Sequence, residues 1–394
     1  MHPDSACHSH IQRMFGKILE LVWFFCKFVS ARDKQEMPPI PPINSRPFID
    51  VPRLSCIYNS TVATYKFYWF TSIINLVLKH ADRSVFSFYE IIAGMISEAW
   101  YPIHYFRLSF GKSDSLEAKI IELQRILDIS IDAKKEAVAS TIMDNISRPQ
   151  VRRCLEIFTY NVPYRFLSPW IPGCDAQVEN LSREKFNNCP YSICGKEIFI
   201  DDFWREFLTL NAAILKDFTF WNLAAFLQKR NPNVPDIPSK LVRPIQRSSL
   251  VRQHRFWDRY ISNSDNVRCI YTDAVLEPGE YDLDHFIPWS FVVHDLNWNL
   301  IPANPSINSS KSNNLPSLDR FLRPLAKIQQ AALKLNIQLA PRDPVLEDYL
   351  VFRHSIDFLA GASEEQFYNL MKNEFEPMAQ TAHNMGFTPW INIA

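Results

Sequence analysis

The sequence predicts a mainly α-helical protein that contains one small unit of two strands and a helix. Only 8 of the 394 residues are glycine, against a usual share of about 7%, and this scarcity argues against a turn-rich all-β fold. Long apolar segments with helical spacing, separated by some of the 27 prolines, favour helices. With 47% hydrophobic and 21% charged residues, the chain is long enough for two or three domains with buried cores, and disorder is excluded.

Composition divides the chain into four predicted parts. In chain order they are an N-terminal extension with a proline-rich linker (1–45), a helical domain (46–238), a basic helix followed by the strand–strand–helix unit (239–320), and a C-terminal helical region (321–394). The boundary between the second and third parts rests on Pro232, Pro235 and Pro238, because prolines this closely spaced cannot continue a helix.

The helical domain is predicted from runs of apolar residues. Segments 63–80 and 86–100 are apolar nearly all round, which is typical of helices buried inside a helical domain. Segment 115–128 begins at a capping serine, Ser115, and carries an apolar stripe at helical spacing, namely Leu116, Ile120, Leu123 and Leu127. A short strand is predicted at 197–200, and helices resume over 201–229.

The residues that can carry chemistry lie in the stretch 281–316. Two β-type runs, 269–272 and 281–287, flank a turn that contains proline and glycine, and they predict a hairpin. Asn304 is a good helix N-cap and Pro305 suits the first helical position, so a helix of about two turns is predicted after it. The local order is therefore strand, strand, loop and helix.

Three side chains of this unit suit the hydrolysis of phosphodiester bonds. Asp284 and Asn308 offer a carboxylate and an amide oxygen, which a hard divalent ion prefers as ligands while water and substrate phosphate complete its shell. His285 offers an imidazole, the side-chain group best suited to act as a base near neutral pH. Neighbouring strand residues face opposite sides, so Asp284 and His285 can share a site only where the strand ends, as Pro288 indicates.

The same stretch resembles the HNH endonucleases, and especially the HNH domain of the RNA-guided CRISPR effector nucleases, over about residues 267–318. The resemblance rests on the spacing of Asp284-His285, Asn299, Asn308 and Lys311. The last position of the pattern is asparagine here, which makes it an H-N-N variant. The resemblance implies a ββα-metal core, also called a His-Me finger, embedded between helical regions. More loosely, the chain is similar to bacterial stand-alone and defence-associated HNH proteins.

The resemblance implies a metal-dependent endonuclease, with DNA as the expected substrate and a role in bacterial defence. By this resemblance, His285 is the general base that activates water, Asn299 orients the loop and His285, and Lys311 contacts phosphate or supports the transition state. Asp284 and Asn308 are the implied ligands of a single divalent metal, Mg²⁺ or Mn²⁺. The remaining residues show no second nuclease half, so RNA guidance is not carried over.

Two alternatives stay open. The first is a nucleic-acid-binding or interaction module whose HNH core has lost catalysis. The second is a nuclease that acts on RNA or single-stranded DNA, because the catalytic residues act on phosphate and do not contact a base. Zinc is not expected, since only Cys269 lies near the unit and paired CxxC motifs are missing from it.

Charge is distributed unevenly although the formal net charge is zero. Residues 240–268 hold seven basic side chains against two acidic ones, immediately before the strand–strand–helix unit. A helix in this segment would place three arginines on one face and apolar residues on another. These arginines and one that follows are predicted to bind nucleic-acid phosphates: Arg252, Arg255, Arg259 and Arg268. A merely solvated charged face is the alternative.

The eight cysteines are scattered without the spacing of a disulfide framework, which predicts a reducing, cytoplasmic location. The apolar run at 18–29 contains Glu20 and Lys27 and is shorter than the roughly 20 residues of a membrane span. No membrane association is expected, and an N-terminal signal peptide is a second interpretation of this run. Nucleic acid is the expected partner, and partner proteins or a homo-oligomer stay open.

Overall fold

A computed structural model describes residues 49–173, 175–184, 188–242 and 249–391 of the chain. The prediction of a mainly helical protein with only small sheets is confirmed. The predicted N-terminal extension, 1–45, lies outside the described residues, and the apolar run at 18–29 lies outside them with it. None of the described helices is long and apolar enough to cross a membrane.

The elements between residues 51 and 241 are almost all helices. They are α1 (Val51–Ser55), α2 (Tyr65–Lys79), α3 (Phe88–His104), α4 (Leu116–Leu127), α5 (Lys135–Asp144), α6 (Pro149–Thr159), α7 (Val162–Phe166), α8 (Asp175–Ser182), α9 (Asp202–Leu210), α10 (Ala212–Arg230) and α11 (Ile237–Leu241). Strands β1 (Val85–Ser87), β2 (Ser192–Cys194) and β3 (Glu197–Phe199) form an antiparallel sheet in the order β1-β3-β2. The strand predicted at 197–200 is therefore confirmed as β3.

Helices α2 and α3 form the centre of this group, because both are apolar nearly all round. Trp69 of α2 and Trp100 of α3 are fully buried. The two helices approach each other closely at Gly94, where an added Cβ would lie 2.1 Å from the Ser72 Oγ atom. A larger residue at position 94 therefore requires the Ser72 hydroxyl to move, which breaks its hydrogen bond to the Ile91 carbonyl.

Helix α4 begins after Ser115 as predicted and buries most of the predicted stripe. Leu116, Ile120 and Leu123 are fully buried, as expected. Ser115 occupies the predicted N-cap position, but its side chain makes no capping hydrogen bond. The carboxylate of the preceding residue, Asp114, accepts a hydrogen bond from the Leu116 N–H at 2.9 Å instead, since an ionised acceptor is stronger than a hydroxyl.

The elements after residue 250 surround a second sheet. They are α12 (Val251–Ser262), β4 (Asp282–His285), α13 (Trp289–Val292), a 3-10 turn (Asn297–Asn299), β5 (Leu300–Ala303), α14 (Pro305–Lys311), α15 (Leu318–Leu339), a 3-10 segment (Pro344–Phe352), α16 (Ile356–Gly361) and α17 (Glu364–Asn384). Strands β4 and β5 are antiparallel, and α14 packs on β4. The predicted ββα order is therefore present.

The predicted hairpin is wrong in one of its two strands. The partner of β4 is β5, in a register that pairs Asp284 with Ile301 and His285 with Leu300. Residues 269–272 form a turn, in which the Asp273 N–H donates to the Cys269 carbonyl at 2.9 Å. The Cys269 N–H donates to the Ala274 carbonyl at 2.8 Å, so both backbone groups of Cys269 are used within this turn, and β4 pairs instead with a later segment across a loop, 286–299.

Two hydrophobic cores lie in the described part of the chain. The first is built from residues 54–241 and also contains Trp289 of α13, which packs against Phe106 with ring centroids 6.3 Å apart. The second is built from residues 256–390 and combines β4 and β5 with α12, α15 and α17. Phe286, next to β4, packs against Phe375 of α17 at 5.3 Å. The predicted division into four parts stays a prediction.

Candidate active site

Strand β4 and helix α14 bring the predicted metal ligands to one face of the small sheet. Alternation along β4 places Asp282 and Asp284 on the same side. Helix α14 lies against that side; its start is set by Asn304, whose side chain accepts from the Ser306 N–H at 3.0 Å. Asn308 follows one turn later and donates from Nδ2 to an Asp282 carboxylate oxygen at 3.1 Å.

Asp284 is 3% exposed, and both of its carboxylate oxygens accept hydrogen bonds. The Lys311 ammonium donates to Oδ1 at 3.0 Å, and the Tyr271 hydroxyl donates to Oδ2 at 2.7 Å. Burial and the nearby Asp284 charge raise the pKa of Tyr271 well above its ordinary value, so the hydroxyl keeps its proton. The carboxylate is therefore held in one orientation from two sides.

Lys311 is fully buried at the end of α14. Besides Asp284, its ammonium donates to the His285 carbonyl oxygen at 2.7 Å. The side chain therefore ties α14 to the last residue of β4, and its charge is compensated by Asp284. Its predicted contact with phosphate stays a prediction.

Asn299 closes the loop between the two strands. Its Oδ1 accepts from the Ile287 N–H and its Nδ2 donates to the Ile287 carbonyl, both at 2.9 Å. Asn299 is fully buried, so these two bonds do not compete with water. The side chain joins the two ends of the loop and makes no hydrogen bond to the His285 imidazole.

His285 contacts an acidic residue that the sequence did not single out. Its Nε2 lies 2.9 Å from the Asp295 Oδ1, and the side chains of His285 and Asp295 are 11% and 16% exposed. The Asp295 carbonyl accepts from Gln253 Nε2 of α12 at 3.0 Å. Next to Asp295, burial and, to a smaller extent, the neighbouring His285 lower the pKa of His294 to about 4, so His294 is neutral at neutral pH.

Residues 269–317 match the family model of the HNH endonucleases. This segment is an HNH endonuclease domain. A search of curated proteins and a search of solved structures found no match to the chain. The HNH domain begins at the turn that supplies Tyr271 and ends just beyond α14, so it contains the five predicted catalytic and metal-binding residues and also Asp295.

The HNH domain contains oxygen donors of the kind that a hard divalent ion prefers. Asp284 and Asn308 supply the predicted oxygen donors, and Asp282, which was not predicted, adds a carboxylate in direct contact with Asn308. Across the described ranges, no group of three or more His, Cys, Asp and Glu side chains is arranged to hold a metal. Two carboxylates and one amide oxygen suit Mg²⁺ or Mn²⁺, because these ions keep water and take substrate phosphate as further ligands.

The arginines before the HNH domain have different surroundings. Arg252 and Arg255 of α12 are exposed. Arg259 donates to Asn336 Oδ1 at 2.7 Å and forms an ion pair with Asp343. Arg268 is exposed and donates to the Asp273 carbonyl at 2.6 Å. The predicted role of all four in binding nucleic acid stays a prediction.

Three of these arginines line one cavity of about 470 Å³ beside the end of α15. A fourth arginine, Arg342, completes its lining, and the single acidic residue in the lining is Asp343, which is already paired with Arg259. Arg252, Arg255 and Arg342 make no hydrogen bond or ion pair within the part of the chain that the structure describes. Arg342 was not predicted, because it lies in a proline-flanked turn far along the sequence.

Proposed function

We propose that the HNH domain is an active, metal-dependent endonuclease that hydrolyses phosphodiester bonds in DNA. The observation that carries this proposal is the arrangement around β4, where α14 contacts Asp282 and Asp284 through Asn308 and Lys311, and where the adjacent His285 is bonded to Asp295. Two independent hydrogen bonds orient the Asp284 carboxylate, and one orients the His285 ring. Orientation of reacting groups before substrate binds is what hydrolysis by a positioned base requires.

In the proposed reaction, His285 takes a proton from the water that attacks phosphorus. Asp284 and Asn308 would hold one Mg²⁺ or Mn²⁺, which supplies positive charge beside the phosphate oxygens. Lys311 and Tyr271 keep the Asp284 carboxylate fixed, and Asn299 keeps the loop that follows His285 closed. A fixed site avoids the energy of reorganising side chains during the reaction.

A cleavage assay with several substrates tests this function. Purified full-length protein is incubated with supercoiled plasmid, single-stranded DNA and RNA, each with Mg²⁺, with Mn²⁺ and with EDTA. We expect DNA cleavage that requires either metal and stops in EDTA. If the protein cleaves RNA and neither form of DNA, its substrate is RNA and the proposal of DNA is wrong. Cleavage that EDTA leaves unchanged would overturn the mechanism.

The second candidate function is a nucleic-acid-binding module that has lost catalysis. The burial of Asp284 and the use of both its oxygens by Lys311 and Tyr271 favour this candidate, because a metal ligand must be reachable. The same assay separates the two functions. Plasmid binding without cleavage, under every metal condition, would support the module and exclude the nuclease.

The arginine cavity supports nucleic acid as the partner. Guanidinium groups bind phosphate through paired N–H donors, and exposed arginines that form no ion pair create positive potential. Replacing Arg252, Arg255 and Arg342 by Gln is expected to weaken DNA binding and to flatten its dependence on salt. Loss of three phosphate contacts lowers the slope of log K against log salt by about 2 to 3. Fluorescence anisotropy at several salt concentrations measures this slope.

A matched triple variant controls for the loss of three positive charges. Lys112, Arg125 and Lys134 are exposed and lie in the helical part of the chain, outside the arginine cavity. Their replacement by Gln is expected to leave the slope nearly unchanged. Equal slopes for the two triple variants would show that the cavity is a solvated surface with no role in binding.

The scattered cysteines favour a reducing location, and Cys56, Cys154, Cys189, Cys194 and Cys269 are free thiols in the structure. We therefore place the enzyme in the cytoplasm. The resemblance to defence-associated HNH proteins supports a role in bacterial defence.

A further inference from the structure

We propose that Asp295 is a positioning residue for the proposed base, and that it holds the His285 ring in the tautomer whose Nδ1 is free to take a proton from water. This inference rests on the proposed nuclease function. It concerns a residue outside the H-N-N pattern, in the irregular loop between α13 and β5.

The hydrogen bond itself determines the tautomer. An ionised carboxylate can only accept hydrogen bonds, so the hydrogen between Asp295 Oδ1 and His285 Nε2, 2.9 Å apart, belongs to Nε2. A neutral imidazole carries one N–H group, which leaves Nδ1 as the acceptor. Because both side chains are mostly buried, water competes little for this bond.

The loop that carries Asp295 is held from outside the HNH domain. Gln253 of α12 donates to the Asp295 carbonyl at 3.0 Å. Two residues further on, the Asn297 N–H donates to an Asp348 carboxylate oxygen at 2.8 Å, and Gln329 of α15 donates to the Asn297 carbonyl at 3.1 Å. Three separate elements therefore place the backbone of this loop, and the flanking helices contribute to the orientation of His285.

The backbone of the same loop is strained. Val293 has a φ of 59°, in the left-handed region that β-branched residues rarely adopt. Such a conformation persists only where surrounding contacts determine it. Here the residue turns the chain between α13, which packs on the first core through Trp289, and Asp295. The strained backbone at Val293 indicates a loop whose shape positions one side chain, that of Asp295.

Asp295 acts in the step that transfers a proton from the attacking water. The O–H bond of the attacking water breaks, its proton moves to His285 Nδ1, and an O–P bond forms as the bond to the leaving oxygen breaks. The leaving oxygen takes a proton from solvent. The His285 ring then carries a positive charge, and its Nε2–H···Asp295 hydrogen bond becomes charge-assisted and stronger.

Kinetics of Asp295→Asn test the inference, with Asp258→Asn as the matched control. Asp258 is also half-buried and bonded to one tyrosine, Tyr281 at 2.8 Å, but it does not touch His285. We expect Asp295→Asn to lower kcat about 100-fold or more, by analogy with an aspartate that orients a catalytic histidine, with KM within about twofold. Asp295→Glu is expected to have a higher kcat than Asp295→Asn. Asp258→Asn is expected to change kcat little.

Two further measurements separate positioning from folding. In a protein that already carries His285→Ala, adding Asp295→Asn should not lower the remaining cleavage rate further, because substitutions of residues that act as one unit have non-additive effects. NMR of ¹⁵N-labelled histidine rings reports the tautomer without any catalysis, and His285 is expected as the Nε2–H form in the wild type. An Nδ1–H form, an unchanged kcat in Asp295→Asn, or equal losses in the Asn and Glu variants would overturn the inference.

The cleavage rate of the wild type distinguishes a wrong function from a wrong role for Asp295. If the wild type cleaves no nucleic acid under any metal condition, the nuclease function fails and the role of Asp295 in it fails too. If the wild type cleaves and Asp295→Asn cleaves at the same rate, only the positioning role is wrong.

Discussion

His285→Ala is expected to lower the rate of DNA cleavage about 1000-fold, the middle of the range for the loss of a general base. The attacking water then has no nearby group to take its proton. DNA affinity should change little, because the ring is mostly buried against Asp295. Single-turnover cleavage of a labelled duplex in Mg²⁺ measures the rate, and fluorescence anisotropy in Ca²⁺ measures the affinity.

His354→Ala provides the matched control for that variant. His354 is an exposed histidine that stacks on Phe358 with ring centroids 4.4 Å apart, far along the chain from the HNH domain. Its replacement should leave the cleavage rate unchanged. A His285→Ala rate within tenfold of the wild type would assign the base to another residue.

Lys311→Met is expected to lower the free energy of unfolding by about 3–5 kcal/mol. The substitution keeps the length of the side chain but leaves the Asp284 carboxylate buried without its cation. It also removes the hydrogen bond to the His285 carbonyl at the end of β4. Urea denaturation followed by circular dichroism measures the change, and cleavage activity should be lost as well.

Two controls identify the buried ion pair as the cause. Lys372→Met breaks an exposed pair with Glu376 and should cost far less, because water solvates both charges. Combining Lys311→Met with Asp284→Asn should recover part of the stability, since no unpaired charge remains, while activity stays lost. If Lys311→Met cost no more than Lys372→Met, the described pairing of Lys311 with Asp284 would be wrong.

Much of the helical fold could be predicted, because buried and amphipathic helices carry their pattern locally. Helix α14 was predicted from two adjacent residues, Asn304 and Pro305, whose backbone preferences are local. The partner of β4 could not be predicted in the same way. Residues 269–272 have β-type composition, but pairing depends on which backbone groups remain free, and a turn uses those groups.

The candidate site was predictable in part. Spacing indicated that Asn308 and Lys311 share a helix face, and the structure places both against β4. The burial of Lys311 was not foreseen, because its ammonium is bonded to Asp284 and to the His285 carbonyl, on a strand much earlier in the chain. Asp295 was missed for a similar reason: it reaches His285 through an irregular loop whose shape is set by α12, α15 and the segment Pro344–Phe352.

Nicking of a supercoiled plasmid by the purified full-length protein, followed over time in Mg²⁺ and in EDTA, tests the central claim most directly. We predict that the wild type nicks the plasmid in Mg²⁺, that EDTA stops the reaction, and that His285→Ala stops it with Mg²⁺ present. Nicking that continues in EDTA, or a His285→Ala variant as fast as the wild type, would contradict the account.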